Sequence, residues 1–461
     1  MATNRVRELA CLLSLTACTL LFGISSASKA QQAAAPAGGE SEAQRTFWFK
    51  QAKFGMFIHW GPYSLASVEA SWPIMRPAAH WNITEAEYVS LYKRFNPVQF
   101  DPQAWVRLAS DAGMRYMVFT TKHHDGFCMF DTALTDYKIT KTPYGKDITA
   151  MLAKAAHDAQ MPLGFYYSCP DMRHPGYRDT TKLASANWQG EPSRPEWATY
   201  LDYMEGQLRE LLTEYGPVAV IWFDGGSKNY NGQRYFDLIR HIQPATLVNN
   251  RIGLDADYST PEQFIPDRIP TKSNIKQLHQ LMMSHTPAPE SLPAPDEFQL
   301  WETCMTINDT WAYNKNDAKY KSAKELIRDL VNVASKGGNF LLDVGPTSEG
   351  TIQPEFVERL QAMGKWMKTY GDSIYGTTYG PLQNLSFGKT TAKDKIVFLH
   401  VFDWPANSQM EVPGLPGRIT QITLLGTKRK LKYQQNGDKL IIQVPATAPD
   451  ENDSVLQIMT R

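Results

Sequence analysis

Short apolar segments recur along residues 54–344 with helix-patterned stretches between them, and this alternation constrains the fold more than any other feature. Apolar runs of five to seven residues, bounded by turn-formers, read as strands buried on both faces. They fall at Phe54–Trp60, Tyr116–Thr121, Leu163–Ser168, Val218–Asp224, Thr246–Asn250, Phe298–Glu302 and Asn339–Val344. Helical periodicity occupies residues 101–113, 147–160, 196–215, 231–242, 321–335 and 353–370. Strands and helices in that order imply a parallel sheet, and about seven repeats imply an irregular (β/α)8-like, TIM-type barrel. A doubly wound sheet would carry a glycine-rich phosphate loop after its first strand. Here that strand runs into His59-Trp60-Gly61-Pro62, which is no phosphate cradle.

Two regions break the rhythm. Ser273 to Asp296 is poor in strand signals and holds Pro287, Pro289, Pro293 and Pro295, so it reads as a long loop at one barrel face. Beyond Gly376 strand-like segments follow one another without helices, and Asn436-Gly437 between alternating residues is a hairpin turn. Residues 44–376 are therefore expected to form the barrel, and 377–461 a C-terminal β-sandwich.

The N-terminus reads as a leader. Arg5 and Arg7 precede an apolar run from Leu9 to Ile24, and Ser28-Lys29-Ala30 offers a cleavage site. Residues 1–30 are expected to be a signal peptide and 31–43 a disordered spacer, which implies export to the periplasm or outside the cell. Leu15-Thr16-Ala17-Cys18 also resembles a lipoprotein box, making a lipid anchor at Cys18 the lesser alternative. The full chain has 47 basic and 47 acidic side chains; the leader would remove three basic and one acidic, leaving a net charge of −2. Such a balance excludes a nucleic-acid partner that works through a basic face. No run approaches the ~20 apolar residues of a stable membrane span. Cys128, Cys169 and Cys304 fit no zinc or disulfide spacing and read as free thiols.

Barrel enzymes place their chemistry at the C-terminal ends of strands. In Val218–Asp224 the two-residue period puts Trp222 and Asp224 on one face. His59 ends the first strand, His123-His124 follow the second, and Arg251 follows the fifth; Glu262 comes shortly after Arg251, and Glu302 lies at the expected end of the sixth strand. Adjacent histidines on a strand point to opposite faces, which argues against a metal pair and for hydrogen bonds to a polyhydroxylated ligand. Aromatics, histidines and two carboxylates, with no metal, cofactor or phosphate motif, point to glycoside hydrolysis. One carboxylate would attack and the other protonate the leaving oxygen. A secreted carbohydrate-binding protein without catalysis is the alternative from another class.

These segments resemble the retaining α-L-fucosidases, glycoside hydrolase family 29. The matching blocks are Phe54-Gly55-Met56-Phe57-Ile58-His59-Trp60-Gly61, Thr121-Lys122-His123-His124-Asp125-Gly126-Phe127, Tyr166-Tyr167-Ser168, Ile221-Trp222-Phe223-Asp224-Gly225, Asn249-Asn250-Arg251 and Ser335 to Leu342. The resemblance implies a fucosylated oligosaccharide or glycoconjugate as substrate, no cofactor and no metal. It implies Asp224 as nucleophile, with His59, His123, His124, Tyr166, Trp222 and Arg251 binding or walling the sugar. Trp311 would face the methyl on C5, a contact that separates fucosides from related α-L-galactosides. For the acid/base, Asp257-Tyr258-Ser259-Thr260-Pro261-Glu262 resembles the segment bearing it in bacterial members, so Glu262 is the first choice and Glu302 the second. The family's glutamate before the pocket tryptophan is replaced here, since Ser71 precedes Trp72 and the nearest acid is Glu69. Glu69 and Trp72 complete the expected sugar-binding set.

Overall fold

The computed structural model describes residues 41–274, 292–294, 296–415, 417–437 and 439–461. The expected leader and Cys18, and most of the expected long loop at 273–296, lie outside them. Seven parallel strands form one curled sheet: β1 (Phe54–Ile58), β2 (Met117–Lys122), β3 (Leu163–Ser168), β4 (Val220–Asp224), β5 (Leu247–Val248), β6 (Glu302–Thr306) and β7 (Asn339–Val344). Their spatial order is β5-β4-β3-β2-β1-β7-β6. Helices cover the outside: α1 (Glu42–Ala52), α2 (Trp72–Met75), α3 (Glu85–Ser90), α4 (Pro102–Asp111), α5 (Ile148–Asp158), α6 (Trp197–Glu214), α7 (Gly232–Ile242), α8 (Ala323–Ala334) and α9 (Pro354–Tyr370). Their starts are written in the sequence. Asp101 and Asp147 accept the N–H groups of Ala104 and Ala150, and Ser322 with Glu325 makes a reciprocal cap on α8.

Between β5 and β6 the wall is closed by single parallel bridges, Asn249 with Tyr258, Ser259 with Trp301 and Glu262 with Cys304. Residues 258–262 thus stand where an eighth strand would, with Ser259 N–H bonded to Leu300 O and Glu302 N–H to Ser259 O. Pro261 contributes no N–H, which helps keep this segment from becoming a regular strand. The interior below is filled by Phe57, Tyr116, Trp222 and Tyr258, and Phe49 of α1 plugs the lower end against Tyr258, ring centroids 4.7 Å apart. Helix α1 starts at Glu42, inside the stretch expected to be spacer.

One strand is displaced from its expected place. The sixth was expected to end at Glu302, yet β6 begins there and runs to Thr306. A carboxylate after an apolar run ordinarily marks its exposed end, whereas here it begins a fully buried strand.

The C-terminal region holds β8 (Thr378–Tyr379), β9 (Gly388–Lys393), β10 (Ile396–Val401), β11 (Gln409–Pro413), β12 (Ile419–Leu424), β13 (Arg429–Lys430), β14 (Tyr433–Asn436), β15 (Lys439–Gln443) and β16 (Ser454–Thr460). They form an antiparallel six-stranded sheet, β13-β12-β16-β10-β9-β8, and a three-stranded one, β11-β15-β14. The expected hairpin is present, with Asn436 paired to Lys439 and Gly437 at φ 57°. Leu399, Ile422 and Leu456 of the larger sheet share one apolar cluster with Met410, Val412, Leu440 and Ile442 of the smaller. The larger sheet's other side turns Phe398 and Val455 into the barrel's core, beside Trp366 of α9. The Trp366 indole donates to Asp453 O at 3.0 Å, and Arg328 of α8 to Asn452 O at 3.0 Å.

Helix α9 also packs on α4 at Gly364, where a Cβ would stand 2.0 Å from the Asp111 carbonyl oxygen. Gly364→Ala should therefore cost about 1–3 kcal/mol through overpacking, despite alanine's better helix propensity. Urea unfolding of the variant should show a lower midpoint at an unchanged slope.

Candidate active site

The upper ends of the strands converge on a small pocket. Its wall includes His59 after β1, His123 and His124 after β2, Tyr166 in β3, Trp222 and Asp224 in β4, Arg251 after β5, Glu262 on the closing segment and Cys304 in β6. Trp72, Phe57 and Trp311 complete it. Ten of the twelve expected site residues are therefore brought together.

Asp224 sits at the centre. Its Oδ1 accepts from Arg251 Nη1 at 2.9 Å and from the Gly225 N–H at 2.8 Å, while Oδ2 accepts from the Tyr166 hydroxyl at 2.9 Å. Burial pushes the Asp224 carboxyl up, but the Arg251 guanidinium and the Tyr166 hydroxyl outweigh it and hold the group below the ordinary aspartate value. It is an anion with both oxygens hydrogen-bonded. The same Nη1 donates to Glu262 Oε2 at 2.7 Å. One nitrogen 2.9 and 2.7 Å from two carboxylate oxygens caps their separation at about 5.6 Å, the two distances combined. Arg251 is itself held by Thr260, through Nε to Oγ1 at 2.9 Å and Nη2 to the carbonyl at 3.0 Å, and lies over the Trp222 ring at 4.8 Å.

The histidines are anchored from behind. His59 Nδ1 meets Asp343 Oδ1 at 2.7 Å, His123 Nδ1 meets Ser71 Oγ at 2.7 Å and His124 Nδ1 meets Ser168 Oγ at 2.6 Å. Burial lowers His59 to about 4 and lowers His123 and His124 as well. His124 Nε2 stands 3.5 Å from Asp224 Oδ2. The turn after His124 needs Gly126, at φ 79° and with a would-be Cβ 2.2 Å from Asp171 Oδ1. Asp171 in turn neutralises Lys122, buried and 3.5 Å away.

Two expected residues stand elsewhere. Glu302 is fully buried and does not line the pocket; Trp222 Nε1 donates to its Oε1 at 2.8 Å and the Tyr116 hydroxyl to its Oε2 at 2.5 Å. As the first residue of β6 it lies below the pocket floor, and Cys304, two residues on, takes the upper place. Burial raises its carboxyl to about 7. Glu69, expected to touch the sugar, instead turns under the Trp311 loop, where it accepts from the Ala312 N–H at 3.0 Å and the Trp311 N–H at 3.1 Å. Those two amides would otherwise be unmet, so Glu69 fixes the loop that presents Trp311.

Asp343 and Ser168, behind His59 and His124, and Cys304 in the pocket wall are additions to the expected set. A single carboxylate inside Asn339-Phe340-Leu341-Leu342-Asp343-Val344 is the signal for the first, because a buried charge needs a partner. Among the described residues the three cysteines, Cys128, Cys169 and Cys304, are free and buried.

Comparison with known proteins gives the pocket its family. The sequence pattern described as Alpha-L-fucosidase matches residues 22–372, and that described as Alpha-L-fucosidase C-terminal domain matches 384–459. The chain belongs to the α-L-fucosidase family. It is thereby a glycoside hydrolase of the α-L-fucosidase type. Among α-L-fucosidases, the human tissue enzyme is 27% identical over 439 residues, covering 87% of this chain and 85% of that one. The enzyme of Dictyostelium discoideum is 26% identical over 448 residues, covering 88% and 89%. Isoenzyme 1 from Paenibacillus thiaminolyticus superposes with a TM-score of 0.79 at 34% identity, covering 91% of this chain and 99% of its own. The Bacteroides thetaiotaomicron α-L-fucosidase, solved as a trapped covalent intermediate with 2-fluoro-fucosyl fluoride, superposes with a TM-score of 0.75 at 27% identity, covering 93% and 98%.

Proposed function

We propose that this α-L-fucosidase removes terminal α-L-fucosyl units from oligosaccharides or glycoconjugates with retention, using Asp224 as nucleophile and Glu262 as acid/base. The observation that carries the reading is the shared Arg251 nitrogen, which keeps the two carboxylates within about 5.6 Å of each other. Retaining glycosidases hold their two carboxyl groups closer together (~5–5.5 Å) than inverting ones (~6.5–9.5 Å), and two carboxylates bound to one nitrogen suit the closer arrangement. The covalent intermediate trapped in the Bacteroides thetaiotaomicron relative supports the same course.

In the first step an Asp224 oxygen bonds to C1 while Glu262 gives its proton to the departing glycosidic oxygen. In the second, Glu262 takes a proton from water, whose oxygen bonds to C1 from the vacated face as the bond to Asp224 breaks. The Tyr166 and Gly225 donors to Asp224 strengthen as its charge returns, which favours this second departure. Arg5, Arg7 and the apolar run after them support work outside the cytoplasm.

A panel of aryl glycosides tests this. The α-L-fucoside should be cleaved at least ~10-fold faster in kcat/KM than the α-L-galactoside, because Trp311 would face a methyl in the first and a solvated hydroxyl in the second. The first-formed free sugar should be the α-anomer by NMR. A β-anomer as first product would rule out the retaining course.

A further inference from the structure

His123 and His124 are neighbours in sequence and in space, with ring centroids 4.3 Å apart, yet each Nδ1 is wired to a serine in a different hydrogen-bonding state. The Ser168 hydroxyl donates to the Pro170 carbonyl at 2.6 Å, a group that can only accept. Its one proton is thus committed, and the 2.6 Å contact with His124 requires His124 Nδ1 to carry a hydrogen. Ser71 is arranged the other way. Its Oγ accepts the Asp125 N–H at 2.8 Å, and it makes no capping bond to α2, at whose N-terminus it sits. Among the described residues the acceptor left for the Ser71 hydroxyl proton is His123 Nδ1, at 2.7 Å. Ser71 is locked for the task, because its own N–H bonds to the Tyr88 oxygen at 2.7 Å and the Tyr88 hydroxyl donates to Asp125 Oδ2 at 2.9 Å.

We propose that Ser71 and Ser168 are positioning residues that set His123 and His124 in opposite tautomers, so that the pocket offers a sugar one Nε2–H donor and one Nε2 acceptor side by side. The inference rests on the glycosidase reading of the pocket. Burial keeps both rings below the ordinary histidine pKa, so each is neutral and has a tautomer to set. The consequence for His124 is specific. Its bare Nε2 faces Asp224 Oδ2 at 3.5 Å, two acceptors with no hydrogen between them. A sugar hydroxyl entering beside the nucleophile supplies that hydrogen, and a ligand lacking a hydroxyl proton there leaves the two lone pairs opposed. His123, stacked on Tyr166 with planes 4° apart, presents its Nε2–H to a hydroxyl that accepts.

Ser71 thereby gains a place in the pocket's chemistry where the family more often has glutamate. A hydroxyl can give its proton to an imidazole, which an ionised carboxylate cannot.

Neutron diffraction from deuterium-exchanged crystals of the whole enzyme near pH 8 reads the proposal without any substitution. Deuterium on Nε2 of His123 and on Nδ1 of His124 is the expected result. Deuterium on Nδ1 of His123, or on Nε2 of His124 alone, overturns it. As a functional readout, Ser71→Ala should lose about ten-fold in kcat/KM on an aryl α-L-fucoside, mainly through KM, with the dependence on leaving group unchanged. Ser168→Ala should show a similar loss. Normal kinetics in both alanine variants would also overturn the assignment. If the wild-type enzyme released no fucose, the functional reading would fail, while the deuterium positions would still decide the tautomers.

Discussion

Asp224→Gly should lower kcat on an aryl α-L-fucoside by at least ~10³-fold, about 4 kcal/mol of transition-state stabilisation. Several features of the site make the loss this large. Asp224 ends a strand paired on both edges, its two oxygens are held by Arg251, Gly225 and Tyr166, and the pocket's other carboxylate, Glu262, is held on the far side of the shared Arg251 nitrogen. Removing it empties a small space directly under the attacked carbon. Azide should then enter that space and restore turnover, giving a β-fucosyl azide, the anomer opposite to the substrate. Recovery of the azide product, measured by NMR, identifies Asp224 as the group that bonds to C1. Near-normal activity without azide would remove it from the reaction. Because Arg251 holds the Asp224 carboxyl below its ordinary value, Asp224 remains charged as pH falls through the usual aspartate range.

The second large effect separates the two glutamates. Glu262→Ala should reduce kcat/KM by about 10²–10⁴-fold for substrates with alcohol leaving groups, and far less for dinitrophenyl fucoside, whose leaving oxygen needs no proton. Glu302→Gln should behave differently. Its amide oxygen can accept the Trp222 N–H and its NH₂ can donate to the Tyr116 oxygen, so the buried contacts survive in exchanged form. Activity should change by less than about ten-fold, equally for good and poor leaving groups. Plots of log kcat/KM against leaving-group pKa therefore steepen for the Glu262 variant alone. Steepening in the Glu302 variant would transfer the role.

Glu302→Gln has a stability signature too. The wild-type carboxyl stands at about 7 in the fold against 4.5 ordinarily, so the folded state binds the extra proton between those values. Stability from this group is fully present below the lower value and lost as pH rises through the upper one. The variant lacks that loss, so relative to wild type it should gain up to about 3 kcal/mol between pH 4.5 and pH 8. Thermal unfolding at the two ends of that window measures it.

The displaced sixth strand explains what the sequence concealed about Glu302. An apolar run ending in a carboxylate looks like a strand whose tip meets solvent. The signal that would have corrected it lies elsewhere in the chain, in the Tyr116 and Trp222 donors that allow a carboxylate to be buried. Pairings of that kind have no periodicity. The closing segment was illegible for a related reason, since Tyr258-Ser259-Thr260-Pro261-Glu262 carries neither an apolar run nor alternation. Glu69 shows a third limit, because its partners are backbone amides, which no side-chain pattern announces. By contrast Asp224, Trp222, His59 and Arg251 were readable because strand period and strand end together fix which way a residue faces. The β-domain was readable from its uninterrupted strands and its Asn436-Gly437 turn.

The way the barrel is closed sets a mechanical difference between the two carboxylates. Asp224 ends a strand inside a continuous ladder, whereas Glu262 rides a segment tied to each neighbour by isolated bridges. Stiffness in such a wall follows the density of its hydrogen bonds. The backbone ties of that segment include Asp257 and Ser259 N–H to Val248 O and Leu300 O, and Asn250, Glu302 and Gln263 N–H to Tyr258 O, Ser259 O and Cys304 O. The spacing of the two carboxylates therefore rests on a ladder that continues down the barrel on Asp224's side, and on this short set of bonds on Glu262's.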